Sequence, residues 1–96
     1  MEKNYQFLKE ITEAVINGNT SLVIELVNIA LKEGIEPKII FEALASGIII
    51  LGEKLSNKEA FLPELVVGFE AFQEGLKILE PLIKNFQKKI RKSRLF

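Results

Sequence analysis

The 96-residue chain contains no cysteine and no histidine. Without cysteine it has no disulfide, no thiolate metal site and no thiol nucleophile. Without histidine it lacks the commonest metal ligand and the commonest general base at neutral pH. The Glu and His pairs of di-metal carboxylate bundles and the His-dependent nucleophilic triads are therefore excluded. We expect a module that has no catalytic residue and no metal site of its own.

Long apolar runs are also missing. The longest, Ile48–Leu51, is far shorter than the roughly 20 residues that a membrane-spanning helix needs. The N-terminal sequence MEKNYQFLKE is charged and has no apolar run, so it does not indicate a signal peptide. We therefore expect a cytoplasmic protein with no membrane contact.

Apolar residues nevertheless make up 48% of the chain, and they recur at the three- and four-residue spacing of buried helix faces. This pattern predicts an all-α protein, an antiparallel four-helix bundle with helices over about 5–16, 21–33, 37–55 and from about 62 onward. Asn4 and either Thr20 or Ser21 are predicted N-caps. Pro37 and Pro63 suit the first turns of the third and fourth helices.

The fourth helix is predicted to bury its large apolar residues. Pro81 either kinks or closes this helix, and a helical extension to about residue 89 keeps the spacing. All 13 acidic residues lie before residue 81, whereas the last 16 residues carry bases and no acid. We therefore divide the chain into a domain over 1–83 and a basic tail or helix extension over 84–96. The predicted stripe of the fourth helix is Leu65, Phe69, Phe72, Leu76 and Leu79, with Val66 and Ile83 alongside.

The segment Gly52–Leu65 joins the third and fourth helices. Phe61 lies just before the fourth helix, and Leu62 and Leu65 are three residues apart, so they share one side of it. Together with Leu55 they place apolar side chains at one end of the bundle. One interpretation is a hydrophobic staple that closes the bundle end. The other is an apolar surface that contacts a ligand or partner.

Three runs carry a resemblance that favours the second interpretation. They are GIIILGEKL at Gly47–Leu55, AFLPEL at Ala60–Leu65, and the Glu70–Leu82 segment with Gly75 and Pro81. In these runs the chain resembles the helical cap domain that precedes the cobalamin-binding Rossmann domain in methionine synthase and corrinoid methyltransferase proteins. The family commonly has Phe at the position of Leu55.

The resemblance implies a cap module that covers the upper corrin face and shields the cobalt-bound methyl group. The implied cofactor-facing residues are Leu55, Leu62 and Leu65. The lower axial His belongs to the Rossmann domain, whose Asp-x-His-x-x-Gly motif this chain does not contain. We therefore expect cobalamin, as methylcobalamin, to bind only with a partner: a cobalamin-binding Rossmann domain or a corrinoid methyltransferase. By itself the chain is expected to bind cobalamin weakly or not at all.

Two other functions remain open at this point. A stand-alone interaction or dimerisation module that has lost cofactor binding would account for the extra apolar residues Ile49 and Ile50. A binder of nucleic acid could use the six basic residues of the tail. That tail has no interleaved aromatic residues apart from Phe86 and Phe96, which argues against nucleic acid.

Overall fold

A computed structural model describes residues 2–83 of the chain, with side chains from residue 4. Four α-helices and a short 3₁₀ turn follow one another, and there is no strand within this part of the chain. The predicted all-α four-helix architecture is therefore confirmed. The elements are α1 (Glu2–Ile16), α2 (Thr20–Lys32), α3 (Pro37–Ser56), α4 (Leu62–Leu79) and the 3₁₀ turn (Glu80–Leu82).

The prolines begin helices as predicted, but both N-cap predictions are wrong. Pro37 and Pro63 lie in the first turns of α3 and α4. Asn4 is inside α1, because that helix already begins at Glu2. The cap of α2 is Asn19, whose side-chain oxygen accepts a hydrogen bond from the backbone N–H of Leu22 at 3.2 Å. An Asn side chain at this place satisfies a donor that the helix itself leaves free.

Each turn between helices closes with the same pair of backbone hydrogen bonds. After α1, Gly18 N–H donates to the carbonyl of Val15 and Asn19 N–H to that of Ala14. The turn residue adopts a left-handed φ of 66° at Gly18 and 87° at Gly34. In the turn before α4 the same place is taken by Lys58, with φ 63°. A side chain at such a φ is strained, which glycine avoids.

The helices pack as a four-membered ring in the order α1, α2, α4, α3. The helix α1 packs on α2 and α3, and α4 packs on the same two, while α2 and α3 make the fewest contacts of these pairs. The short α2–α3 turn therefore joins helices that lie diagonally across the bundle. The α3–α4 pair forms one layer and α1–α2 the other.

Glycines bring the layers close together. A Cβ added at Gly47 would lie 2.7 Å from Val15 of α1, and one added at Gly75 would lie 2.9 Å from Val23 of α2. A Cβ at either position would overlap a valine side chain, so the absence of a side chain at these glycines allows the helices to pack this closely. The largest fully buried side chains around these contacts are Ile11, Val15, Val23, Val27, Ile40, Leu44, Leu51 and Leu79.

The core face of α4 differs from the predicted stripe. Of the five residues predicted to be buried, only Leu79 is fully so, and Phe69 is 45% exposed. Val66, predicted alongside that stripe, is 53% exposed. The residues that face the core are Gly68, Ala71, Gly75 and Leu79. Close packing admits small residues there and turns the large ones toward the rim and the solvent.

The end of α4 agrees with one of the two predicted roles of Pro81. The α-helix ends at Leu79, and Pro81 lies in the 3₁₀ turn that follows, so the proline closes the helix. The predicted extension to residue 89 and the basic tail over 84–96 lie outside the described residues.

Candidate functional site

The outer side of the α3–α4 layer carries an apolar surface. Phe69, Val66 and Leu65 of α4 line a shallow open depression together with Ile48 of α3. Leu62 lies one turn before Leu65 and Val66, and Leu55 lies two turns after Ile48 on the same side of α3. We define the α3–α4 surface by these six residues: Ile48, Leu55, Leu62, Leu65, Val66 and Phe69.

The three predicted cofactor-facing residues occupy different parts of this surface. Leu55 is half-buried in the last turn of α3, and Leu65 is half-buried and lines the depression. Leu62 is the first residue of α4 and is 60% exposed. All three therefore belong to the α3–α4 surface. Their contact with a cofactor stays a prediction.

Other exposed apolar side chains were missed by the sequence reasoning. The hydrophobic spacing predicts Val66 and Phe69 in or beside the core stripe, although they lie four and seven residues after Leu62 and therefore on its side of the helix. Ile49, one of the extra apolar residues of α3, is 62% exposed. Hydrophobic spacing alone does not distinguish a second apolar face from the core face.

An aromatic row connects the core edge with this surface. The rings of Phe41 on α3 and Phe72 on α4 lie 6.2 Å apart and tilted. Phe72 in turn stacks on Phe69, with ring centroids 5.7 Å apart. Both Phe41 and Phe72 pack against the core cluster. The row holds the exposed Phe69 ring in place at the edge of the depression.

The start of α4 is held by a polar contact rather than by apolar stapling through Phe61. The backbone N–H of Phe61 donates to Glu64 Oε1 at 2.9 Å, which is half of a capping box. The Phe61 side chain is 74% exposed, while the preceding Ala60 is buried. A staple interpretation therefore leaves the exposure of Phe61 and Leu62 without explanation.

The chemistry of the α3–α4 surface is limited to apolar contact. None of its six residues is an acid, a base or a nucleophile. Glu70 and Gln73 form the polar rim of the depression. The ion pair between Lys77 and Glu74 is on the exposed second half of α4, where the hydrogen bond and charge of Glu74 raise the pKa of Lys77.

Comparison with known families agrees with this geometry. The family model described as "B12 binding domain" matches residues 7–80, which include all four helices from the second turn of α1 onward. The chain belongs to this B12-binding domain family. The match includes every residue of the α3–α4 surface of the B12-binding domain.

The relatives of the B12-binding domain are corrinoid proteins. The domain is 32% identical over 83 residues to the monomethylamine corrinoid protein 2 of Methanosarcina acetivorans. This alignment covers 85% of the chain and 38% of the relative. The domain is 35% identical over 77 residues to a corrinoid protein of Desulfitobacterium hafniense, covering 79% of the chain and 36% of that relative. The chain thus spans less than two fifths of the length of these relatives.

A solved structure has the same fold. The monomethylamine corrinoid protein of Methanosarcina barkeri matches the B12-binding domain with a TM-score of 0.78 and 28% sequence identity. The match covers 81% of the chain and 37% of the solved chain. Among residues 2–83, no helix is both long enough and apolar enough to cross a membrane.

Proposed function

We propose that this B12-binding domain is the cap that covers the upper face of a corrin, with the rest of the binding site supplied by a separate cobalamin-binding Rossmann domain. The observation that carries the proposal is the exposed α3–α4 surface, which presents Leu62, Val66 and Phe69 to the solvent next to half-buried Leu55 and Leu65. Exposed apolar patches of this kind mark contact sites.

The residues fit a corrin that is covered but not ligated. A corrin face is flat and largely apolar, and the α3–α4 surface offers side chains of the same character. The chain has no His and no Cys, so it offers neither of these side chains as an axial ligand. The fit is therefore to the upper face, with the lower ligand coming from the partner domain. The module itself is non-catalytic in this proposal.

In this proposal the upper face of the corrin is shielded from water by three leucines, Leu55, Leu62 and Leu65. Methylcobalamin, when bound, supplies a methyl group for transfer. Apolar side chains packed over that group keep water away and offer no competing donor atom. Leu55 sets the α3 side of the cover, while Leu62 and Leu65 set the α4 side.

The test compares two leucines of similar exposure. Leu62 is 60% exposed and Leu82 is 55% exposed, but Leu82 lies past the other end of α4. We expect Leu62→Asp to weaken binding to a methylcobalamin-loaded Rossmann domain at least about tenfold, because a carboxylate would lose its water against the corrin. Leu82→Asp should leave binding unchanged. Isothermal titration calorimetry measures both.

Folding does not confound this comparison. Leu62 is the first residue of α4, where an acidic side chain interacts favourably with the helix dipole. Equal loss of binding in the two variants, or none in either, would contradict the proposal. Absorbance titration of the chain alone with methylcobalamin should give no tight spectral change. A tight one would show that no partner is needed.

A second candidate function is a homodimer formed through the same layer. It is favoured by Ile49, which is 62% exposed on the side of α3 away from the core. Light scattering after gel filtration separates the two. A stable dimer that Leu62→Asp dissociates would favour dimerisation, whereas a monomer that binds the loaded Rossmann domain would favour the cap.

A further inference from the structure

At one glycine, neither the backbone angle nor the packing among residues 2–83 requires a glycine. Gly47, Gly68 and Gly75 lie where an added Cβ would come within 3 Å of a neighbouring atom, and Gly18 and Gly34 have positive φ. Gly52 has neither property: its φ is not positive, and an added Cβ would meet no atom of residues 2–83 within 4 Å. A glycine inside a helix destabilises the helix relative to alanine, so packing within the domain does not account for Gly52.

The position of Gly52 connects it with the α3–α4 surface. It lies four residues after Ile48 and three before Leu55, on the side of α3 that these two residues share. Between them it leaves a notch in the row of side chains about 10 Å long, seven residues at 1.5 Å each. The floor of this notch is helix backbone.

We propose that Gly52 is a positioning residue at which the edge of the corrin ring approaches the backbone of α3. This inference rests on the proposed cap function and adds a contact to it. The occupant follows from shape, since a corrin is rigid and flat and cannot bend around a side chain that stands between it and Leu55. A Cβ at position 52 would hold the ring away from Leu55 and Leu65.

The notch also offers hydrogen-bond acceptors. A side chain at position 52 would cover the turn that precedes it, because Cβ atoms in a helix tilt toward the N-terminus. Gly52 is exposed and has no such side chain, so we infer that the carbonyl groups of Ile48 and Ile49 are less covered than elsewhere in α3, and each has a second lone pair beyond its helix bond. The corrin periphery carries amide side chains, whose N–H groups can donate to these oxygens.

The Gly52→Ala variant tests the inference because it should change stability and binding in opposite directions. Alanine favours the helix and its Cβ meets no atom in the described part of the chain, so we expect the melting temperature to rise by about 4–8 °C. The added methyl group should weaken binding to the methylcobalamin-loaded Rossmann domain about fivefold or more. Circular dichroism and titration calorimetry measure the two effects.

Ser46→Ala is the matched control. Ser46 is exposed on the same helix but lines the groove toward α1, together with Tyr5 and Thr12. Its replacement should leave binding at the wild-type value. A Gly52→Ala variant that is more stable and binds as tightly as wild type would overturn the inference and leave the cap proposal standing. If wild type does not bind the loaded domain, or if Leu62→Asp binds like wild type, the cap proposal itself fails.

Nitrogen-15 NMR gives an independent readout on the wild-type chain. The chain has six glycines, whose amide signals fall in a sparsely populated region of the spectrum. Addition of the loaded Rossmann domain should shift the Gly52 signal and leave that of Gly34, in the α2–α3 turn, in place. A wild-type homodimer that Gly52→Ala dissociates in light scattering would instead assign the notch to a second copy of the chain and overturn the inference.

Discussion

The side of α4 that faces the other helices carries Gly68, Ala71 and Gly75, whereas the side that faces solvent carries Leu62, Val66 and Phe69. In most amphipathic helices the larger apolar residues are the buried ones. Here the inner side is built from small residues that allow close helix contact, except for Leu79 at the end of the helix, and the outer side carries larger residues. This reversal separates what holds the fold together from what is available to a partner.

The largest difference between the two sides should appear when a leucine is truncated. We expect Leu79→Ala, on the fully buried side, to lower the free energy of unfolding by about 2–5 kcal/mol. Leu62→Ala, at 60% exposure, should change it by less than about 0.5 kcal/mol. Urea denaturation followed by helix circular dichroism measures both. Similar losses in the two variants would contradict the assignment of sides.

A smaller effect is expected where the inner side is enlarged. In Gly68→Ala the new Cβ would overlap Leu51 Cδ1 and lie 3.0 Å from the backbone oxygen of Val15. The side chain of Leu51 can move, but the backbone cannot, so we expect a net destabilisation on the order of 1–2 kcal/mol despite the better helix propensity of alanine. In the same denaturation experiment, Gly52→Ala should instead raise the free energy of unfolding. A Gly68→Ala variant that is more stable than wild type would show that α4 packs less closely against Leu51 and Val15 than these distances indicate.

The smallest effect concerns the turn that leads into the outer side. Lys58 has a φ of 63°, so Lys58→Gly should relieve strain and stabilise the domain by about 0.5–1 kcal/mol, after allowing for the greater flexibility of glycine in the unfolded chain. Asn57→Gly is the control. Asn57 has an ordinary φ of −87°, so a glycine there relieves no strain and the variant should be less stable than wild type. A gain at both positions would point to a general effect of the turn rather than strain at Lys58.

Much of the fold could be predicted because helix signals are local. Pro37 and Pro63 mark helix starts, and Gly18 and Gly34 mark turns, through constraints on their own backbone angles. The Asn19 cap was missed because Asn19, Thr20 and Ser21 are all good N-cap residues. The sequence does not show which of them immediately precedes the helix. The polar residues around Lys58 predict a loop, but its left-handed φ could not be predicted, since nothing in the chemistry of lysine favours it.

The candidate surface was only partly predictable, for a different reason. Hydrophobic spacing counts Phe69 and Val66 as core residues and passes over Gly68 and Gly75, because it weighs apolarity and not size. Which side of α4 is inside depends on how closely the other helices approach. How closely they approach depends on the packing between α3, α4 and the α1–α2 layer, so it cannot be predicted from the sequence of one helix alone. The contact of Leu55, Leu62 and Leu65 with a corrin stays a prediction.

The glycine contacts also bear on motion. At Gly47, Gly68 and Gly75 an added Cβ would come within 3 Å of an atom of a facing helix, so the helices pack closely there, and tightly packed interiors transmit displacement rather than absorb it. Because these contacts join the two layers, we expect the four helices to move as one rigid body. A reactant that needs to reach anything covered by the α3–α4 surface would gain access when this body swings aside, and the hinge for that motion would lie outside the four helices.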